Sequence, residues 1–232
     1  MKQRKQGGMT RRTFLASTAA LSAASCATGP RLVLNAAETP PNEKLSLAAI
    51  GFGGMGASNI KSLSGEQFVA LCDVDSEYAK PIFEAFPDAR RYTDYREMLA
   101  AEKDLDGVVI ATPDHTHAVI AMAAIKAGKH VFCQKPLAHD LYECRMLAQA
   151  AKEAGVVTQM GIQGHAGNGT RTVVECIQGG VIGEVREVHA FCSDSYYPWG
   201  HASWSPKEGR VPEETPPVPD TLKWDLWLGP AA

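Results

Sequence analysis

Lys135 stands between Gln134 and Pro136, and about 80 residues before it runs Gly51-Phe52-Gly53-Gly54-Met55-Gly56. The two stretches suggest complementary chemistry. A lysine at a strand end, partly desolvated beside a positive charge, is able to accept a proton from a substrate hydroxyl. The glycine run has the spacing of a turn that lets backbone N–H groups approach a pyrophosphate. In that pattern Gly51 permits the tight turn, Gly53 keeps a Cβ out of the way, and Gly56 lets a helix pack close to a strand. A surface lysine in a turn is the other reading of Lys135, and the role has to be decided by its setting.

The flanking elements supply part of that setting. Leu45-Ser46-Leu47-Ala48-Ala49-Ile50 reads as a buried strand and Asn59-Ile60-Lys61-Ser62-Leu63 as the body of a helix, giving the strand, glycine turn and helix that a phosphate cradle requires. Phe68 to Asp73 is a second apolar run, ending in an acid about 20 residues after the turn, where a carboxylate accepts from ribose hydroxyls. That charge repels a 2′-phosphate, so NAD is favoured over NADP. Asp75 is assigned to capping the next helix.

Farther along, strand and helix patterns alternate, as in a parallel sheet covered on both faces. Helices are predicted over 76–86, 95–102, 115–127, 140–154 and 170–178. Strands are predicted over 107–111, 130–133 and 156–160, and an alternating pattern predicts a long strand over 183–192. In an open parallel sheet, ligands bind beyond the carboxyl ends of the strands. The glycine turn, Asp73, Thr112-Pro113-Asp114-His115 and Gln134-Lys135-Pro136 all fall at such ends. His115 is open to two readings, lining a nicotinamide pocket or bonding to backbone at a helix start. His115 and His117 are two apart and do not share a helix face, so they do not form a simple metal pair, and no metal site is predicted.

Composition narrows the class. The 232 residues are 45% hydrophobic and 21% charged with a net charge of −3, and the basic residues are scattered, which gives no electrostatic footprint for nucleic acid. Six cysteines show no CxxC spacing, and buried free thiols are the expected state. The first 37 residues read as an export signal. Thr10-Arg11-Arg12-Thr13-Phe14-Leu15 is a twin-arginine motif, a small-residue apolar stretch follows, and Asn35-Ala36-Ala37 offers a cleavage site. Ser22 to Cys26 resembles a poor lipoprotein site, so periplasmic release is favoured over anchoring. That route carries folded proteins, as suits an enzyme exported with its nucleotide in place.

Taken in order, Gly51 to Gly56, Asp73, Ala111-Thr112-Pro113-Asp114-His115-Thr116-His117 and Gln134-Lys135-Pro136-Leu137 resemble the Gfo/Idh/MocA oxidoreductases, over roughly Leu45 to Asp194. The resemblance implies a Rossmann doubly wound parallel sheet over 44–160, followed over 161–232 by an incomplete α/β second domain with an open mixed sheet for substrate binding and oligomerisation. It implies NAD held by Gly51, Phe52, Gly53, Gly54, Met55, Gly56, Asp73, Thr112, Pro113, His115, Gln134 and Lys135, with Lys135 catalytic. The implied reaction is hydride transfer between nicotinamide and a sugar, sugar derivative or cyclitol hydroxyl, by a homo-oligomer.

Gln134 departs from the family's Glu-Lys-Pro motif: a carboxylate is lost beside the lysine while a hydrogen-bonding amide remains. Gly161 to His165 with Arg171, and Trp224 to Pro230, resemble the exported branch. The family's second domain normally continues beyond this point, so the chain reads as truncated, with Trp224 to Pro230 packing on something absent. The resemblance also fits a glycoside hydrolase that uses NAD for transient oxidation, and the reading of the chain as truncated leaves open a nucleotide-binding protein without turnover.

Overall fold

The computed structural model describes residues 44–190 and 215–231. The twin-arginine motif, the cleavage site, Cys26 and Cys192 lie outside the described residues. Among the described residues there are six strands: β1 (Ser46–Ile50), β2 (Gln67–Cys72), β3 (Arg90–Tyr92), β4 (Gly107–Ile110), β5 (His130–Gln134) and β6 (Thr158–Gly161). The helices are α1 (Met55–Ser62), α2 (Lys80–Ala85), α3 (Tyr95–Ala101), α4 (His117–Lys126), α5 (Leu141–Ala154), α6 (Asn168–Gln178) and α7 (Trp224–Leu228). All six strands pair in parallel in the order β3-β2-β1-β4-β5-β6. This is the Rossmann order, whose reversal of direction between β1 and β4 opens a crevice at the strands' carboxyl ends.

The near-continuous apolar runs of β1 and β4 are explained by burial on both sides. On β1, Ala48 and Ile50 face a core that α3, α4 and α5 complete with Met98, Ile120, Ile125 and Leu147. Leu47 and Ala49 face the opposite core, which α1 and α2 complete with Ile60, Ile82 and Phe83. A strand with period-two side chains can serve both cores only if every position is apolar. The helix ends follow local chemistry. Asp94 and Asp140 cap α3 and α5 by accepting from the N–H groups of Arg96 and Glu143, and Gly155 ends α5 in the left-handed conformation at φ 67°.

Three expectations change. The helix expected over 76–86 begins at Lys80, because Asp75 accepts from the N–H groups of both Glu77 and Tyr78 and holds the preceding residues in turns. Asp75 therefore holds a turn instead of capping the helix as expected, and the helix has Ala79 as its N-cap with no side-chain bond. No strand forms over residues 183–190; alternation favours a strand only where a neighbouring strand supplies the ladder, and none among the described residues pairs with this one. Cys72 and Cys133 are buried free thiols, with Cys133 pushed up to about 12 by burial, whereas Cys144 is exposed.

Candidate functional site

The crevice at the switch point is a cleft of about 600 Å³. Gly51, Phe52, Gly53 and Gly54 line it from the turn between β1 and α1, Asp73 from the end of β2, and Thr112 and Pro113 from the end of β4. Seven of the twelve residues singled out in the sequence thus meet in one place. The remaining five are arranged differently. Gly56 is buried under the turn, Met55 is exposed on the first turn of α1, Gln134 is buried, His115 faces the C-terminal segment, and Lys135 is exposed just past β5.

The glycine turn is built on contact distances. Gly51 has φ 76°, and a Cβ there would lie 2.7 Å from the Thr112 side chain. A Cβ on Gly56 would lie 2.1 Å from the Gly51 carbonyl oxygen and 3.1 Å from the Ala111 Cβ, so α1 reaches its place only with glycine at that position. At Gly53 the room left by the missing Cβ is faced by the Tyr78 ring, whose Cδ1 would be 2.0 Å from a Cβ. Tyr78 is itself 66% exposed, so its ring has solvent to turn into. Gly54 brings no capping side chain to α1, in contrast to Asp94 and Asp140 on α3 and α5. A helix start of this kind offers its N–H groups to an anion.

Asp73 ties the turn to β2. Its Oδ2 accepts from the Phe52 N–H at 2.9 Å and its Oδ1 from the Asp75 N–H at 3.1 Å. Burial raises the Asp73 carboxyl from its ordinary value, while these N–H bonds act in the opposite direction. A carboxylate oxygen has more than one lone pair, so both oxygens keep acceptor capacity toward ribose hydroxyls. These groups fit a dinucleotide: a close-packed glycine turn, an uncapped helix start, and an acid at the neighbouring strand end.

The segment over residues 221–230 also borders the cleft. The Lys223 N–H donates to the Val74 carbonyl at 2.9 Å, the Ser76 N–H donates to the Thr221 carbonyl at 3.1 Å, and Asp75 and Leu222 form an antiparallel bridge. α7 then crosses to the other side of the cleft. There His115 Nε2 donates to the Trp227 carbonyl at 2.9 Å, with the imidazole edge-on to the indole. Asp225, Leu226, Trp227, Gly229 and Pro230 therefore form a wall opposite the glycine turn. The expectation that this aromatic segment packs on something absent is corrected, since it packs on the Rossmann loops. His115 takes the backbone-bonding role rather than lining the cleft, and the carbonyl it meets is 112 residues away.

Sequence reasoning left His117 without a function, and the structure gives it one. It is 1% exposed, with ring nitrogens 2.6 Å and 2.8 Å from the carbonyl oxygens of Pro136 and Thr112. One ring thereby links the loop that follows β4 to the loop that carries Lys135. Gln134, beneath that loop, donates to Asn59 Oδ1 of α1 and accepts from Gln163, both at 3.3 Å. The amide thus joins the glycine-turn helix to the chain after β6. Lys135 is exposed on the loop just past β5.

A family model described as "Oxidoreductase family, NAD-binding Rossmann fold" (GFO_IDH_MocA) matches residues 45–162. The chain belongs to this family. Among GFO_IDH_MocA relatives, an inositol 2-dehydrogenase of Pseudomonas savastanoi pv. phaseolicola is 35% identical over 194 residues, which cover 79% of this chain and 54% of the relative. The inositol 2-dehydrogenase of Salmonella typhimurium is 30% identical over 151 residues, covering 62% and 45%.

Of solved structures, myo-inositol 2-dehydrogenase from Lactobacillus plantarum superposes with a TM-score of 0.58 at 28% identity, covering 62% of this chain and 43% of that one. The WlbA dehydrogenase from Bordetella pertussis, solved with NADH and UDP-GlcNAcA, gives 0.55 at 27% identity, covering 60% and 44%. The chain spans about half the length of the curated GFO_IDH_MocA relatives it matches.

Proposed function

We propose that the cleft binds NAD and that the protein is an oxidoreductase moving hydride between nicotinamide and a carbon bearing a hydroxyl on a cyclitol, sugar or sugar derivative. The observation that carries this reading is the Asp73 carboxylate, held at the end of β2 by the N–H of the glycine turn and facing the cleft. Inositol 2-dehydrogenases among the relatives support the substrate class. In this reading Gly51, Gly53 and the start of α1 hold the pyrophosphate. Asp73 accepts from the ribose hydroxyls and disfavours a 2′-phosphate, which selects NAD over NADP. Thr112 and Pro113 border the nicotinamide end.

When bound, nicotinamide supplies the hydride acceptor. Lys135 takes the proton of the substrate hydroxyl as that carbon is oxidised, and the His117 link keeps the Lys135 loop in register with the cleft. A panel of cyclitols and sugars, read by NADH absorbance, is expected to give reduction with NAD and far less with NADP. Glycoside cleavage with no net NADH would move the assignment to the hydrolase class. Bound NAD without turnover on any member would leave a nucleotide-binding protein.

We further propose that residues 161–232 belong to a substrate and oligomerisation domain, and that the protein leaves the cytoplasm by the twin-arginine route with NAD already bound. The support is the Thr10 to Leu15 motif and the small-residue site before Glu38. Mass spectrometry of protein recovered from the periplasm is expected to show a chain starting near Glu38 and one NAD lost on denaturation. An uncleaved chain confined to the cytoplasm would end the export reading.

A further inference from the structure

We infer that residues 221–230 form a strap that retains the nucleotide, with the His115–Trp227 contact as its latch. The inference rests on the proposed NAD site and adds to it how the nucleotide is kept there.

Both ends of the strap are anchored, on opposite sides of the cleft. At one end, backbone bonds join Thr221 and Lys223 to Ser76 and Val74, directly after Asp73. At the other, His115 Nε2 donates to the Trp227 carbonyl, and Gly229 passes so close to Thr116 that a Cβ on it would lie 3.1 Å from the Thr116 Cγ2. The anchors differ in kind. The Val74 end is a short stretch of antiparallel backbone pairing, which opens only by unzipping. The His115 end rests on one side-chain donor and on ring packing, 5.5 Å between the His115 and Trp227 centroids and 5.0 Å between those of Trp227 and Trp224. It is the end with fewer bonds to break.

Trp227 both lines the cleft and carries the carbonyl that His115 holds. A nucleotide lying between the glycine turn and the strap leaves the cleft past this wall. Freeing the latch gives it an exit without disturbing the sheet. The strap therefore governs the release rate more than the chemistry of the site, as is usual where a closed element must open before a ligand departs.

The test is a chase. Protein loaded with NADH is mixed with excess NAD, and loss of the bound-NADH fluorescence gives the release rate. His115→Ala removes the latch donor and is expected to speed release about tenfold, the factor that corresponds to about 1.4 kcal/mol. His115→Gln keeps an N–H donor and is expected to restore slow release, which a general loss of packing would not do. Amide exchange over Lys223–Gly229, expected to slow when NADH binds, reads the same closure without a variant. Release at the wild-type rate in a folded His115→Ala protein, with strap amides indifferent to NADH, overturns the strap. A wild-type protein that binds no NADH overturns the NAD site itself.

Discussion

Gly56→Ala is expected to cost the protein its affinity for NAD by at least about 100-fold, close to 2.7 kcal/mol, and to lower its stability by about 1–3 kcal/mol through overpacking. The added methyl would fall 2.1 Å from the Gly51 carbonyl oxygen, a backbone atom with little room to yield, because Gly51 is itself pressed against Thr112. Relief comes from lifting α1 off the sheet. That movement carries away the helix start and slackens the contact of the Phe52 N–H with Asp73. Gly65→Ala, which would place its methyl in open space, serves as the control. Calorimetric titration with NAD and a urea unfolding curve measure the two effects, and a Gly56→Ala protein that binds NAD within twofold of wild type would remove the turn from the site.

Lys135→Ala is expected to lower turnover by about 10²–10⁴-fold, the range for losing a positioned proton-transfer group, while leaving NAD affinity nearly unchanged. The separation follows from position. Lys135 lies past β5, outside the lining of the cleft, on the loop that His117 fixes through the Pro136 carbonyl. Because it is exposed among the described residues, substrate and nicotinamide must supply its desolvated surroundings. A loss carried by kcat more than by KM marks a group acting in the transition state. Activity within a few-fold of wild type would return Lys135 to the status of a surface lysine in a turn.

What could be read from the sequence, and what could not, divides along physical lines. Gly51, Gly56 and Asp73 were legible because each answers a local demand: a positive φ, a close helix approach, an acid at a fixed distance from the turn. The parallel sheet was legible because strands buried on both faces become apolar throughout, as in β4. β3 was missed, since three residues, two of them arginine, carry no pattern. The alternating stretch from Gly183 was misread because periodicity shows what a strand would bury and says nothing of a pairing partner.

The strap escaped for another reason. Its contacts join Thr221 to Ser76 and Trp227 to His115 across more than 100 residues, and no spacing within the segment announces either partner. His115 itself stood open between pocket and backbone, a choice that only the position of Trp227 could decide. His117 carried no readable signal beyond its place beside the Thr112-Pro113 break.

The strap also orders events in time. Every strand of the sheet has been synthesised by Gly161, some sixty residues before Thr221 emerges, and domains generally fold from the N-terminal side during synthesis. The sheet therefore forms with its crevice open on one side. Contacts that close long loops come late, because the entropy of closure is lost before the contact gives anything back. A nucleotide reaching the nascent chain meets a finished glycine turn and no strap, and residues 221–230, made later, then fold over it. Loading is thus easiest during a brief stage of the protein's birth, and a chain that completes the strap while empty has to break the latch before it can be filled.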